Sequence, residues 1–517
     1  MRTGDQWPAG GFSLASIARR RRGTGQGGRP ALSYRERTWS YDDLADRVDR
    51  AREGLLRLGV GSGSRVCVLM NNSPEWLGLF FGLMSVGAVC VPVNYYYRAP
   101  ELDSVLADSG AEWIATEDVF EDLLRACPRA RDLGRLDVAG LLGDGPSGSL
   151  DPGGGVAAVG FPADAPDPDP DDVALLQYSS GTTGRMKAAV HTQTTILWNS
   201  VHQIAELGID PESVTLLVPA LCWSAGLHDL TLATLWAGGH VVVHPSRHLD
   251  PQDLLHTLEQ RRVTHVFLVP SILRRFAEIP DPDRYDLSAL RLVLTGGEPV
   301  MPELTEGLVR RFPGIPLAPS YGLSEFPSTM THLTPRQLRG KPGSVGRPSL
   351  IAEVRIVDDA DNEVPVGTVG ELLCRSPATM KGYHGDPEES ARALSGGWLR
   401  TGDLARVDVD GFYYVVGRKK DMLISGGLNV YPAEVERVLA EHPAILEIVV
   451  DGIPDDRWGT VPRAFVVLDP DCHASVAELV EFARSRLASY KVPREFVFRT
   501  DRFPRSAGGK VLRNRVR

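Results

Sequence analysis

Tyr178-Ser-Ser-Gly-Thr-Thr-Gly-Arg-Met-Lys187 follows the apolar run Val173-Ala-Leu-Leu-Gln-Tyr178 and brings two glycines, four Ser or Thr hydroxyls and one lysine into ten residues. The run reads as a strand, and Gly181 and Gly184 free the turn after it to adopt positive φ and expose backbone N–H groups. Ser179, Ser180, Thr182 and Thr183 add donors, and Lys187 supplies a point charge. Such a loop suits a phosphate. It is not the common G-x-x-x-x-G-K-[ST] loop, because Lys187 lies three residues beyond Gly184. Polar, glycine-bearing turns are also ordinary surface loops, so the surrounding chain has to decide.

Upstream, Thr38-Trp-Ser-Tyr-Asp-Asp-Leu44 opens a helix that Ser40 can cap. Arg65 to Met70 reads as a buried strand, Pro74 to Val86 as a helix and Gly87 to Val93 as a second strand, which makes a β-α-β unit with a parallel sheet. The Gly, Pro and Asp rich segment at about 143–172 is a loop or linker leading to the strand before the opening loop. Downstream, strands near Thr215 to Pro219, His240 to His244, His265 to Val269 and Leu290 to Thr295 alternate with helical segments, predicting a second doubly wound layer. Ligands of such sheets bind beyond the carboxyl ends of strands. Tyr178 to Lys187, Thr295-Gly-Gly-Glu298 and Ser320-Tyr-Gly-Leu-Ser-Glu325 would emerge there as loops. After about Gly343, short strands of period two (Ala352 to Val357, Gly370 to Arg375, Phe412 to Val416) indicate a small β subdomain. From Gly417-Arg-Lys-Lys-Asp421 onward, strands and helices alternate at shorter spacing. The predicted class is α/β: a large N-terminal domain (1–417) of two doubly wound α/β subdomains plus a small β subdomain, followed by a small α+β C-terminal domain (418–517).

With 517 residues, 43% hydrophobic and 24% charged, the chain has the composition of an ordinary globular protein of several structural units. A formal charge of -10 argues against nucleic-acid or membrane-surface partners, and the basic run Arg19 to Arg22 reads as a solvated helix end. The best apolar stretch, Trp76 to Val93, is broken by Gly78, Gly82 and Gly87, so no membrane span is expected. The first residues, Met1-Arg-Thr-Gly-Asp-Gln6, lack the apolar core of a secretory signal. The six cysteines show no C-x-x-C pair and sit mostly in apolar runs, as buried small hydrophobes of a cytoplasmic protein do. Oligomeric state is not legible, and a homodimer stays open.

Tyr178 to Lys187, Tyr321-Gly-Leu-Ser-Glu325, Trp398-Leu-Arg-Thr-Gly-Asp403, Gly417-Arg-Lys-Lys-Asp421 and Pro504-Arg-Ser-Ala-Gly-Gly-Lys510 together resemble, in order and spacing, the motifs of the adenylate-forming enzymes. That superfamily comprises acyl-CoA synthetases, luciferases and peptide-synthetase adenylation domains, and the resemblance runs from Thr38 to Lys510. It implies conversion of an acid and ATP to an acyl-adenylate and pyrophosphate, with Mg²⁺, and in a free-standing acid-CoA ligase transfer of the acyl group to CoA. By resemblance, Ser179 to Gly184 with Lys187 wrap the β- and γ-phosphates, with Thr182, Thr183 and Lys187 as the main ligands. Glu325 holds Mg²⁺, with Ser324 where a threonine is usual. Asp403 accepts the ribose hydroxyls, and Arg418 reaches ribose and phosphate. Gly296, Gly297 and Glu298 with Tyr321 enclose adenine, and Gly322 belongs to the same nucleotide-binding set. Lys510 bridges the acid oxygen and the α-phosphate. Negative charge develops on exactly those phosphate oxygens, so cations and N–H donors belong around them. The resemblance also implies that the C-terminal domain is mobile, pivots at Lys420, and brings Ser425-Gly-Gly-Leu-Asn429 into the site for the thiol step, with Gly426 and Gly427 lining a tunnel.

The chain departs from the pattern at Met186-Lys187-Ala188, where Pro-Lys-Gly is usual, at Gln193, where a histidine often stands, and at Pro219-Ala-Leu-Cys-Trp-Ser-Ala-Gly226, which lacks the usual histidine gate. Trp223 can close the acid pocket by bulk. Carried over by register, Trp223, Ser224, Leu227, Gly297, Ser320, Gly322 and Phe326 form a mostly apolar wall suited to an aryl or modest aliphatic acid. Asp229 is the nearest aspartate to the position that would pair with an amino-acid ammonium. The leading expectation is an AMP-forming acid-CoA ligase acting on a small-molecule acid. Loading of a carrier protein, activation of nitrite toward an arylamine in secondary metabolism, and non-catalytic nucleotide binding are the alternatives left open.

Overall fold

The computed structural model describes residues 13–22, 24–143, 168–179, 186–245, 249–505 and 511–516. Its first layer is built on the helix Pro74–Val86, which Ser73 caps by accepting from Trp76 N, which carries Pro at its first position, and which Gly87 ends in the left-handed conformation at φ 71°. Those are the residues helix starts and stops select. Leu77, Leu79, Phe80, Phe81, Leu83 and Met84 of this helix are at most 1% exposed, each burial being worth about 2 kcal/mol in transfer free energy. The helix Tyr41–Arg57 packs against it, started by a reciprocal capping box between Ser40 and Asp43.

Behind these helices lies a six-stranded sheet in the order Gly134–Leu136, Trp113–Thr116, Arg65–Leu69, Val89–Pro92, Val173–Ser179, Lys187–Thr192. The expected β-α-β unit is present, with Arg65 opposite Val89 in a parallel pair. The strand Val173–Ser179 joins this first sheet, and Lys187–Thr192 returns antiparallel to it, Ser179 facing Lys187. The opening stretch therefore begins and ends on antiparallel neighbours, Ser179 and Lys187.

The second sheet has nine strands, with Val214–Leu217, His240–Val243, His265–Phe267 and Leu292–Thr295 at its centre, near the expected positions. Pro30–Tyr34 extends it, pairing Leu32 with Val241, so the N-terminal segment crosses to the later layer. One expectation is corrected here. Ser320 to Glu325 is not an open loop beyond a strand end: Leu317–Leu323 continues through it and turns into Phe326–His332, with Leu323 opposite Phe326. The β-branched and apolar residues of the return strand make that tight hairpin favourable. Arg19 and Arg22 are also less free than expected, since both pair with Asp49 and Arg22 also with Asp46.

The small β subdomain is a five-stranded sheet of Glu353–Val357, Gly370–Arg375, Trp398–Val407, Leu394–Ser395 and Tyr413–Arg418. The final segment forms a separate five-stranded sheet around Gly459–Leu468, covered by the helices Pro432–Ala440 and Val476–Arg484, with Val435, Leu439, Val466 and Leu479 in its core. The segment 144–167, most of the expected linker, lies outside the described residues. So do Ser180, Gly181, Thr182, Thr183 and Gly184 of the opening loop, and Lys510. Among the described residues no helix is long and apolar enough to cross a membrane. Five of the six cysteines are buried free thiols.

Candidate active site

Lys187 opens the strand that returns from the phosphate stretch. Its Nζ lies 2.5 Å from Glu389 Oε1 and 5.3 Å from the centre of the Tyr383 ring. Tyr383 Oη donates to Glu325 Oε1 at 2.7 Å. Backbone pairing explains how Tyr383 comes to stand between the two. Lys381 N donates to Val190 O at 2.9 Å, Val190 N to Gly382 O at 2.9 Å and His384 N to Ala188 O at 2.9 Å, so the segment runs along Lys187–Thr192. Glu325 is fixed from the other side, its carbonyl accepting from Met380 N at 2.8 Å. Burial and the neighbouring Glu325 and Glu389 push the Tyr383 hydroxyl well above its ordinary range. Lys187 holds the Glu389 carboxyl below its ordinary value. Neither Tyr383 nor Glu389 was singled out from sequence. Gly382-Tyr-His-Gly-Asp-Pro387 carries only a turn signal, and the contacts depend on pairing with a strand some 190 residues earlier in number.

Beside this group, Tyr321 Oη donates to Asp403 Oδ2 at 2.5 Å, and Arg418 Nε lies 2.6 Å from Asp403 Oδ1. Asp403 and Arg418 face each other across antiparallel strands, and the Asp403 side chain is 5% exposed. Ser324 contributes its carbonyl, which is 2.8 Å from His191 Nε2. Gly296 has to lack a side chain, because a Cβ there would stand 2.6 Å from Ser320 O, and Gly297 takes φ +82°. Ser320 Oγ donates to Thr295 O at 3.1 Å, which ties the two predicted loops together. Glu298 is directed elsewhere: Ser271 N donates to its Oε1 at 3.2 Å, and Arg274 lies 3.4 Å from its Oε2. Its carboxylate is held by the helix Pro270–Ala277.

On the acid side, Trp223 precedes the short helix Ser224–Leu227 and is half-buried, packed against the core cluster that includes Tyr178, Ala188 and Cys222. Ser224 Oγ is buried without a hydrogen-bond partner. The expected wall needs a correction at Leu227 and Phe326, which are both 0% exposed inside core clusters, so they back the wall and offer no surface to a ligand. A feature the sequence reading missed lies just beneath. His191 and His228 are fully buried with ring centres 6.4 Å apart, and neither nitrogen of His228 has a hydrogen-bond partner. Burial lowers His191 to about 4 and His228 to about 3, so both are neutral rings at pH 7. Asp229 accepts from Thr329 Oγ1 at 2.9 Å, and burial raises it to about 8. A mostly protonated carboxyl is a poor partner for a substrate ammonium.

In the final sheet, Gly426 (φ +59°) and Gly427 (φ +79°) form a left-handed turn, and a Cβ on Gly426 would lie 2.5 Å from the Trp458 ring. Lys420 lies in the single helical turn Lys419–Asp421 that leads into that sheet. No group of three or more His, Cys, Asp or Glu among the described residues could hold a metal ion alone. A Mg²⁺ ion carried by a nucleotide needs only one or two protein carboxylates, which Glu325 fits. The described site thus offers an ammonium, a carboxylate for a metal, and a carboxylate with a guanidinium for a diol, all suited to a magnesium nucleotide.

Residues 20–384 match the family described as AMP-binding enzyme, and residues 434–510 match the AMP-binding enzyme C-terminal domain. The chain is 40% identical over 478 residues to a feruloyl-CoA synthase of Amycolatopsis sp, covering 92% of this chain and 93% of that protein. It is 36% identical over 506 residues to the indoleacetate–CoA ligase of Aromatoleum aromaticum, covering 95% of each. The fold superposes on o-succinylbenzoate CoA synthetase from Bacillus subtilis in complex with its acyl-adenylate intermediate, with a TM-score of 0.85, 30% identity and 98% of each chain covered.

Proposed function

The chain belongs to the AMP-binding enzymes, within the acyl-CoA synthetases of the adenylate-forming superfamily, and on that premise we propose that its acid is an aryl-bearing carboxylic acid. The enzyme is an AMP-forming acid-CoA ligase that uses ATP, Mg²⁺ and CoA. A carboxylate oxygen attacks the α-phosphorus and pyrophosphate leaves with the bonding electron pair. The CoA thiol then attacks the acyl carbon, AMP leaves, and the thiol proton goes to solvent or base. The aryl assignment is supported by relatives named for feruloyl, indoleacetate and succinylbenzoate substrates, and by the half-buried indole of Trp223 beside the unpartnered Ser224 hydroxyl.

Residue roles follow from the charges. Lys187, with Thr182 and Thr183, takes the β- and γ-phosphates. Bound at Glu325, Mg²⁺ would offset charge on the phosphate oxygens. Asp403 and Arg418 orient the ribose, Gly296, Gly297, Tyr321 and Gly322 border the adenine, and Lys510 neutralises the α-phosphate during attack. Residues 1–417 hold ATP and acid, and 418–517 turn about Lys420 to exchange Lys510 for the Gly426–Gly427 turn. ATP and CoA as substrates, with reduced buried thiols, support a cytoplasmic location.

The observation that carries the adenylating chemistry is that Tyr383 stands between Lys187 and Glu325 while Asp403 joins Tyr321 to Arg418, and the aryl choice rests on Trp223 with the buried Ser224 hydroxyl. Pyrophosphate release with ferulate, indoleacetate, o-succinylbenzoate, a saturated fatty acid and nitrite, with and without CoA and followed by product mass, tests it. Turnover of an aryl acid to its CoA thioester is expected. Turnover of the fatty acid or nitrite alone would refute the assignment.

A further inference from the structure

We propose that Glu389 is a positioning residue for Lys187, a counter-ion that the nucleotide's terminal phosphates displace and that retakes the ammonium as pyrophosphate leaves. The inference rests on Lys187 being a phosphate ligand. Glu389 belongs to the helix Pro387–Ala393 and is held in place, because Asp386 Oδ1 accepts its N–H at 3.0 Å and Ser390 Oγ accepts from Tyr383 N at 2.8 Å. The Lys187 and Glu389 side chains are 22% and 26% exposed, so their pair is sheltered, yet water reaches both. The second oxygen of Glu389 lies 2.7 Å from Arg392 Nη2. When Lys187 swings to phosphate, Arg392 still balances the Glu389 charge, so the exchange strands no buried ion.

Two further features favour exchange over a permanent pair. The lysine stem is long and has a low barrier to rotation, and Nζ lies over the Tyr383 ring whose hydroxyl is bonded to Glu325, so a modest swing carries it toward the metal carboxylate. A bound polyphosphate would also bring several negative charges close to Glu389, and like charges at such range repel. That repulsion is felt by pyrophosphate and ATP and hardly by AMP, which lacks the terminal phosphates. Glu389 therefore weakens product pyrophosphate binding while keeping Lys187 oriented between turnovers.

Calorimetric titration of the full chain with magnesium pyrophosphate, magnesium ATP and AMP tests this without needing the acid. For Glu389→Gln, affinity for pyrophosphate and ATP is expected to rise about fivefold, the scale of a partly exposed ion pair, with AMP within about twofold of wild type. In a Lys187→Ala background the same substitution should give a clearly smaller gain, because only the direct repulsion between Glu389 and the polyphosphate is left to relieve. Weaker or unchanged pyrophosphate binding in Glu389→Gln, an equal gain for AMP, or a gain undiminished without Lys187 would overturn the proposal. If Lys187→Ala alone leaves pyrophosphate affinity unchanged, the phosphate role of Lys187 fails and the proposal with it, whereas the aryl-acid assignment is judged by the turnover panel alone. Glu389→Ala gives the same comparison should the glutamine variant fold poorly.

Discussion

The Tyr321 hydroxyl and the Asp403 carboxylate meet at 2.5 Å across the junction of the second sheet and the small β subdomain. With Arg418 on the other oxygen, the Asp403 carboxylate is paired and oriented before any nucleotide arrives. Asp403→Asn removes the charge that Arg418 balances and one acceptor for a diol. It is expected to raise the KM for ATP by about 10- to 100-fold. Tyr321→Phe removes one hydrogen bond to Asp403 and leaves the Arg418 pair, so its KM for ATP should move by less than about threefold. Initial-rate measurements of pyrophosphate release over an ATP series separate the two.

The buried Asp229 makes stability depend on pH in a definite direction. Its carboxyl, raised to about 8, binds a proton in the fold that the unfolded chain has lost, so its contribution declines as pH rises toward 8. His191 and His228, lowered to about 4 and 3, act oppositely: their contribution is complete above the ordinary histidine range and is lost as pH falls below it. Two histidines outweigh one aspartate on the acid side, and Asp229 acts alone of the three between about pH 6.5 and 8. The thermal midpoint should peak near pH 6.5. Asp229→Asn, which keeps an acceptor for Thr329, should remove the decline toward pH 8, amounting to roughly 2 kcal/mol. A decline that survives in the asparagine variant would refute the assignment.

Most of the fold was legible because its signals are local. Ser73, Pro74 and Gly87 mark both ends of their helix, and alternating apolar runs mark the strands of both sheets. The crossing of Pro30–Tyr34 into the later sheet was not legible, because strand partners are chosen by tertiary packing that periodicity does not encode. The candidate site divides in the same way. Residues with a distinctive motif, Glu325, Asp403 and Arg418, were identified from spacing and resemblance. Tyr383, Glu389 and the His191–His228 pair act through contacts between distant segments, and each lies in an unremarkable local sequence.

Lys510 provides a test of the division of labour between the two half-reactions. In its proposed role its ammonium is needed where charge builds up on the α-phosphate and has no such task when a thiol attacks an adenylate already formed. Lys510→Ala is expected to slow pyrophosphate release by about 100-fold or more. Thioester formation from a supplied acyl-adenylate and CoA should stay within about threefold of wild type. Equal loss in both assays would show that Lys510 serves both steps.

Gly426 makes the complementary case for the thiol step. Its φ of +59° costs an L-residue about 1 kcal/mol or more, and a Cβ there would meet the Trp458 ring at 2.5 Å. Gly426 N donates to Trp458 O at 2.9 Å, so the turn and the indole are fixed to one another and a methyl group cannot be absorbed without moving one of them. Gly426→Ala should therefore slow thioester formation by about tenfold while pyrophosphate release in the first half-reaction stays near wild type. Trp458→Ala opens space for the added methyl but leaves the φ strain, so the double variant should recover part of the loss. Full recovery would mean that the clash alone matters. A loss confined to pyrophosphate release would place the turn in the adenylating step, against its proposed role in the tunnel.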